Sequence, residues 1–425
     1  MTTRTGRLLT RIDRAGGGFV VDLSLYAVSA AFALVTALTS TLLPHRAWGW
    51  IAVWAYLVGF VVALIQFFVY RRNPARAALA WFVWAGAAIV PLIVEAVQRA
   101  AGRTDRAQEE VLVVERMGER LLHHGTPYLG RDAIAALPAD ERLMAYSPYQ
   151  PGMAVFGLPR AVFGDFWWTD ARVWFAVVTV AALALAVRLL GPTQPGTIRA
   201  IQAATVLPIC ALTLATGGDD IPVLALCLLA FALVATGRYG WAGVAVGAAA
   251  ACKPFAFPVV AVLVVLALAV RRGRSLLPFA IGLPIVVLIP PFLVAAGAFT
   301  ENVVRFPTGH GLVKSPAESP FPGYLIAQNL PGGRIIALGL LVAVAVLIAV
   351  RIIRRPPRTA AAAAVVSGLG LLAAILLLPT TRFGYLLYPI AFLVWAAALA
   401  PAAKPLHSNH TVSNAPGDDR ALYRQ

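Results

Sequence analysis

Long apolar runs separated by short breaks of Arg, Pro and Gly fill most of this chain. About 20 consecutive apolar residues cross a bilayer as a helix, and the runs predict twelve such segments. The first three are 23–43, 48–70 and 77–97, followed by a long polar stretch from Gln98 to Asp170. The next six are 171–190, 200–215, 221–235, 241–252, 255–270 and 276–296. After a second long connection, 297–334, come 335–350, 360–378 and 385–399. The predicted fold class is an all-α polytopic bundle with an amphipathic helix in its first long loop. The two runs beside Lys253 are short, since 12 residues rise only about 18 Å as a helix. They read as short tilted spans or as a re-entrant pair.

Composition sharpens this. Of 425 residues, 60% are hydrophobic and 13% charged, against about 25% charged in soluble domains. Mean hydropathy is +0.78. A soluble enzyme and a disordered chain are both excluded. The net charge of +16 sits in Arg clusters between apolar runs, the signature of cytoplasmic loops rather than of a nucleic-acid surface. With the N-terminus inside, 17 basic residues of the short connections fall on the cytoplasmic side, and only Arg46, Lys253 and Arg382 fall outside. This predicts a plasma-membrane protein with both termini cytoplasmic. It divides into a cytoplasmic N-terminus (1–22), two extra N-terminal spans (23–76), a main domain (77–400) and a polar, disordered tail (401–425). No removable signal peptide is recognised. Cys210, Cys227 and Cys252 lie in apolar runs with no disulfide or metal spacing.

That topology gathers the chemically informative residues on the outer face. Between Asp105 and Tyr128, Val111, Val114, Met117 and Leu121 recur at helical spacing among charges. Asp105 with Gln108 reads as a capping box and Gly125 as a C-terminal stop, giving an amphipathic helix of about 18 residues along the membrane surface. Glu109, Glu110 and Glu115 lie on it. Tyr146 and Tyr149 occupy an aromatic, Pro-rich turn cluster, with faces and hydroxyls suited to a sugar. Trp167 and Trp168 read as interface anchors. Asp219 and Asp220 share a short outer hairpin, one of them expected to cap the next helix and the other free for a ligand. Lys253 is a compact cation at membrane depth, where snorkelling competes with phosphate binding. His310 and Lys314 lie in the second long loop, and Arg382 in the last outer turn.

No nucleotide-binding, metalloprotease or serine-hydrolase motif is present, and no cofactor is implied. An outward-facing group-transfer site has no access to ATP or nucleotide sugars. Its activated donor has to arrive in the membrane, as a lipid-linked phosphate held by cations and attacked by a hydroxyl that a carboxylate deprotonates. A transporter or flippase would place its charges near the midplane of a pseudo-symmetric chain, whereas here the acids cluster on one face and the loops are unequal. A noncatalytic scaffold predicts no convergence of Glu110, Lys253 and Arg382.

Several motifs in order resemble a known family: an acid opening the first outer loop, Gly125-Thr-Pro-Tyr128, Tyr146-Ser-Pro-Tyr-Gln-Pro151, Gly217-Gly-Asp-Asp-Ile-Pro222 and Ala251-Cys-Lys-Pro254. Over about residues 77–399 the chain is similar to glycosyltransferase family 87, the polyprenyl-phosphate-mannose-dependent α-1,2-mannosyltransferases of GT-C fold and related arabinofuranosyltransferases. The resemblance implies inverting transfer from a polyprenyl-phospho-sugar to a glycan or glycolipid acceptor, outside the plasma membrane and among membrane lipids. It also implies that the base is the acid of the first outer loop. The family has Asp there; the matching position here is Glu110, with Glu109 and Glu115 as competitors. The long loop follows the third span rather than the first, as two added N-terminal spans would produce.

Overall fold

In the computed structural model residues 15–400 are described. The arginines at positions 4, 7, 11 and 14 and the tail from 401 lie outside the described residues. Helices α1 (Phe19–Thr39) and α2 (Leu43–Val69) form an antiparallel hairpin, closely packed where Gly49 meets the backbone of Ala33 and Ala37. Helix α3 (Asn73–Ala100) carries a widened turn at Ala85–Ile89 just before Pro91, whose missing N–H disturbs the local ladder. A long excursion follows, containing α4 (Glu109–His124) and several short helical turns. Next come α5 (Ala171–Leu190), then α6 (Pro195–Val206) and α7 (Pro208–Thr216), joined at a 42° bend where Pro208 interrupts the run. Four helices follow in sequence: α8 (Asp220–Ala235), α9 (Tyr239–Cys252), α10 (Pro254–Ala269) and α11 (Gly273–Phe299). After the second long loop the chain ends with α12 (Gly333–Arg354), α13 (Ala360–Leu377) and α14 (Phe383–Ala398). Among the described residues there is one β-bridge, Glu318 to Thr381, and no strand.

This is the all-helical polytopic bundle the sequence predicts. Among the described residues, seven helices are long and apolar enough to cross a bilayer, and the bent α6–α7 pair gives an eighth. The other four predicted spans are α8, α9, α10 and α14, apolar helices of 10–17 residues. Their shortness has a packing context. α8 is buried along nearly its whole length, with Val223, Cys227, Leu228 and Phe231 fully enclosed by neighbouring helices. α11 and α12, by contrast, are long and mostly unburied, presenting Ile285, Leu293, Ile335 and Leu347 outward.

The two ends of the bundle differ. At one, Asp22 of α1 accepts from Arg76 of α3 (2.6 Å) and Gln202 of α6 (2.8 Å) and pairs with Arg199, pinning three helices together. At the other lie the two long loops. α4 does not begin in a capping box: Asp105 is held by Arg103 and Arg106, the helix starts at Glu109, and Gln108 precedes it without a side-chain cap. Gly125 ends it with φ 69°, as expected. Nor does the apolar face lie on lipid. Val111, Val114 and Met117 are fully buried against protein, and Gly118 approaches Gly157 so closely that a Cβ there would lie 2.3 Å from its backbone carbon.

Candidate active site

A buried ion network fixes where α4 sits. Glu115 accepts from Arg99 of α3 at 2.5 and 2.7 Å and from the first amide of α5, Ala171, at 3.2 Å. Arg99 also reaches Asp170 (3.0 Å), which caps α5 and is gripped by Arg172, and Arg172 in turn meets Glu95 at 3.1 Å. Arg172 and Glu95 are fully buried, so each charge depends on its partner. Glu115, a sequence candidate for the base, is spent in this network and does not reach the cavity described below. Glu95 and Arg172 were not singled out from the sequence, although a Glu inside an apolar run is itself a signal.

The motifs of the resemblance lock onto one another. The Tyr128 hydroxyl donates to the Tyr149 carbonyl (2.8 Å), and the Gln150 amide donates to the Cys252 carbonyl (3.1 Å). Gly152 lies against Ala251, where a Cβ would meet the carbonyl oxygen at 2.6 Å. Lys253, just beyond the end of α9, is buried between Asp220 (2.6 Å) and Asp219 (3.0 Å). The Tyr388 hydroxyl donates to Asp220 at 2.8 Å. The ring of Tyr149 lies 5.2 Å from the Lys253 ammonium. Neither aspartate caps α8 through its side chain, contrary to expectation; both neutralise Lys253 instead.

Arg382 approaches from the other side. The bridge to the second loop holds its turn: the Thr381 amide donates to Ala317 (3.0 Å), the Ser319 amide to Thr381 (2.9 Å) and the Phe383 amide to the Ser319 hydroxyl (2.9 Å). This places the guanidinium in an ion pair with Glu110 of α4. Burial, the largest single effect, works against the charge on Arg382, but the Glu110 carboxylate, with the Tyr385 and Tyr149 phenols, more than offsets it and raises its pKa. Burial first, and then the neighbouring Asp219 carboxylate, push the Tyr149 phenol well above its ordinary value, so it stays neutral.

These groups line one cavity of about 680 Å³. Glu109, Glu110, Tyr146, Tyr149, Asp219, Asp220, Lys253 and Arg382 all face it. His310 and Lys314 do not: both are exposed on the second loop, and the His310 ring meets the Thr308 hydroxyl at 3.1 Å. Tyr146 contributes a wall rather than a free hydroxyl. Its oxygen donates to Glu301 (2.7 Å) and accepts from the Leu312 amide (2.8 Å), while its ring stacks on Phe306 at 4.2 Å. Sequence reading missed His45 at the start of α2, and Gln108 and Tyr385, all of which line the cavity. Part of the lining is apolar: Val28 and Phe32 of α1 stand near Ile209 and Leu212 of α7. Among the described residues no group of three or more His, Cys, Asp or Glu side chains is arranged to hold a metal ion.

The sequence model named "Glycosyltransferase family 87" matches residues 147–379, more than half of the chain. The chain belongs to glycosyltransferase family 87. Its long apolar helices mark it as a multi-pass membrane protein of that family. The match begins at Ser147, so α1–α4, with His45 and Glu110, precede it. Among solved structures, ArnT from Cupriavidus metallidurans in the apo state is similar at 18% identity with a TM-score of 0.44, over 76% of this chain and 59% of that one. The chain thus spans about three-fifths of the length of that protein. The comparison with curated proteins finds no match.

Proposed function

We propose that the protein transfers a sugar, mannose in the first instance, from a polyprenyl-phosphate donor to a hydroxyl of a glycan or glycolipid acceptor, on the outer face of the plasma membrane and with inversion. One observation carries this reading. Glu110 and Arg382, 272 residues apart, form an ion pair inside a cavity that also has an apolar side. The donor's tail lies along the apolar side between α1 and α7, and its phosphate draws Arg382 away from Glu110. The freed carboxylate takes the proton of the acceptor hydroxyl, whose oxygen forms a bond to the anomeric carbon. The anomeric carbon–phosphate oxygen bond breaks with its electron pair on the phosphate, where Arg382 stabilises the growing charge.

Arg382 is the phosphate ligand in this scheme and Lys253 is not. Four carboxylates line the cavity against two cations, and Lys253 is already held between two of them. Its role is to keep Asp219 and Asp220 charged and in place, with Tyr149 and Tyr388 packed around them. The test is to offer purified protein a panel of polyprenyl-phospho-sugars (mannose, glucose, arabinofuranose) and follow release of polyprenyl phosphate. Turnover of the mannosyl lipid supports the reading. Inertness toward the whole panel, in protein shown to be folded, overturns it.

A further inference from the structure

The hairpin α1–α2 precedes the family-matched segment, yet it supplies a chemically active side chain to the cavity. His45 sits in the first turn of α2 and lines the cavity with Glu109 and Glu110. Its ring lies beside the Gln108 side chain and within electrostatic range of Glu110. Gln108 is itself fixed: its amide donates to the Thr216 carbonyl (2.9 Å), its side-chain oxygen lies 3.0 Å from the Thr216 hydroxyl, and a Cβ on Gly217 would come within 2.6 Å of that oxygen. The ring is half-buried and lines the cavity, where an imidazole nitrogen can accept or donate. Glu110 is thus approached from two elements, by Arg382 from the turn before α14 and by His45 from α2.

Resting on the reading above, this geometry has a consequence for the substrates. The donor phosphate takes the Arg382 side of Glu110. The attacking hydroxyl has to reach the same carboxylate, which leaves it the side of His45 and Gln108. We propose that His45 is an acceptor-binding residue: its ring nitrogen accepts a hydrogen bond from an acceptor sugar hydroxyl next to the one that attacks. The acceptor subsite is therefore built partly by a hairpin outside the family-matched segment, and this hairpin contributes to acceptor choice.

Two rates measured on the full-length protein in lipid nanodiscs separate the possibilities. One is mannose transfer from polyprenyl-phospho-mannose to octyl α-mannoside; the other is hydrolysis of the same donor by water. For His45→Ala, loss of one hydrogen bond of about 1.4 kcal/mol raises KM for octyl mannoside about tenfold. Donor KM and the hydrolysis rate stay within about twofold of the parent, the uncertainty of a single-site effect. His45→Gln, which keeps an acceptor atom at similar reach, recovers part of the loss. The proposal is overturned if acceptor KM is unchanged. It is also overturned if hydrolysis and transfer fall in parallel in both variants, which would mark His45 as a support for α4 alone. An inactive parent protein would instead remove the glycosyl-transfer reading beneath it.

Discussion

Replacing Lys253 by Met is the most informative single perturbation of the site. The ammonium lies 3.0 Å from Asp219 and 2.6 Å from Asp220, and all three side chains are 10% exposed or less. Met keeps much of the volume and removes the charge, leaving two carboxylates side by side in a buried setting. Breaking one buried pair costs about 3–5 kcal/mol. Two like charges about 4 Å apart add several kcal/mol at an effective dielectric near 20 unless one takes up a proton. We expect a loss of at least about 3 kcal/mol, read as a shifted midpoint when unfolding in detergent is followed by fluorescence of the ten tryptophans. Asp219→Asn with Asp220→Asn in the same background removes the orphaned charges and recovers most of that loss, because neutral substitutes for a whole buried cluster are often tolerated. A loss below about 1 kcal/mol for Lys253→Met, the level of an exposed pair, would refute the claim that Lys253 serves as counter-ion to the aspartates.

Two further outcomes follow from the packing. Gly118→Ala forces a methyl into the backbone of Gly157, shifts α4 and displaces Glu110; transfer should fall by about 10²-fold, as for roughly 1 Å misplacements of reacting groups, while the protein remains inserted and monodisperse. Tyr146→Phe removes the hydrogen bonds to Glu301 and Leu312 and should cost about 1–3 kcal/mol of stability with KM for both substrates unchanged; a large KM effect would make Tyr146 a substrate ligand after all.

The sequence made the membrane spans legible because hydrophobic burial in lipid leaves a long, uninterrupted signature. The predicted run 171–190 is α5 to the residue, and Gly125 stops α4 because only a residue without a Cβ takes φ 69° at no steric cost. Two charges were legible against the expected positive-inside pattern: Lys253 and Arg382 both reach the cavity. Partners were not legible. Whether Glu115 faces substrate or Arg99 depends on how α3, α4 and α5 pack, and one-dimensional spacing holds no record of that. The aspartate pair was misread because capping is a local rule, and a buried ammonium 33 residues away outweighs it. His45 went unremarked in the predicted turn between 43 and 48, since nothing in its neighbourhood shows that α2 begins beside Gln108. The apolar face of α4 looked like a lipid-facing stripe because its true neighbours, the turns at 151–163, are themselves apolar and lie in the same loop.

The central claim, that Glu110 is the base of a lipid-linked sugar transfer, is tested most directly by the initial rate of Glu110→Gln in the labelled polyprenyl-phospho-mannose assay. Gln keeps the shape and can still accept from Arg382, but it cannot take up the proton of the attacking hydroxyl. The account predicts a fall of about 10²- to 10⁴-fold, the range of general-base contributions, in protein that elutes and unfolds like the parent. A rate within a few-fold of the parent would contradict it.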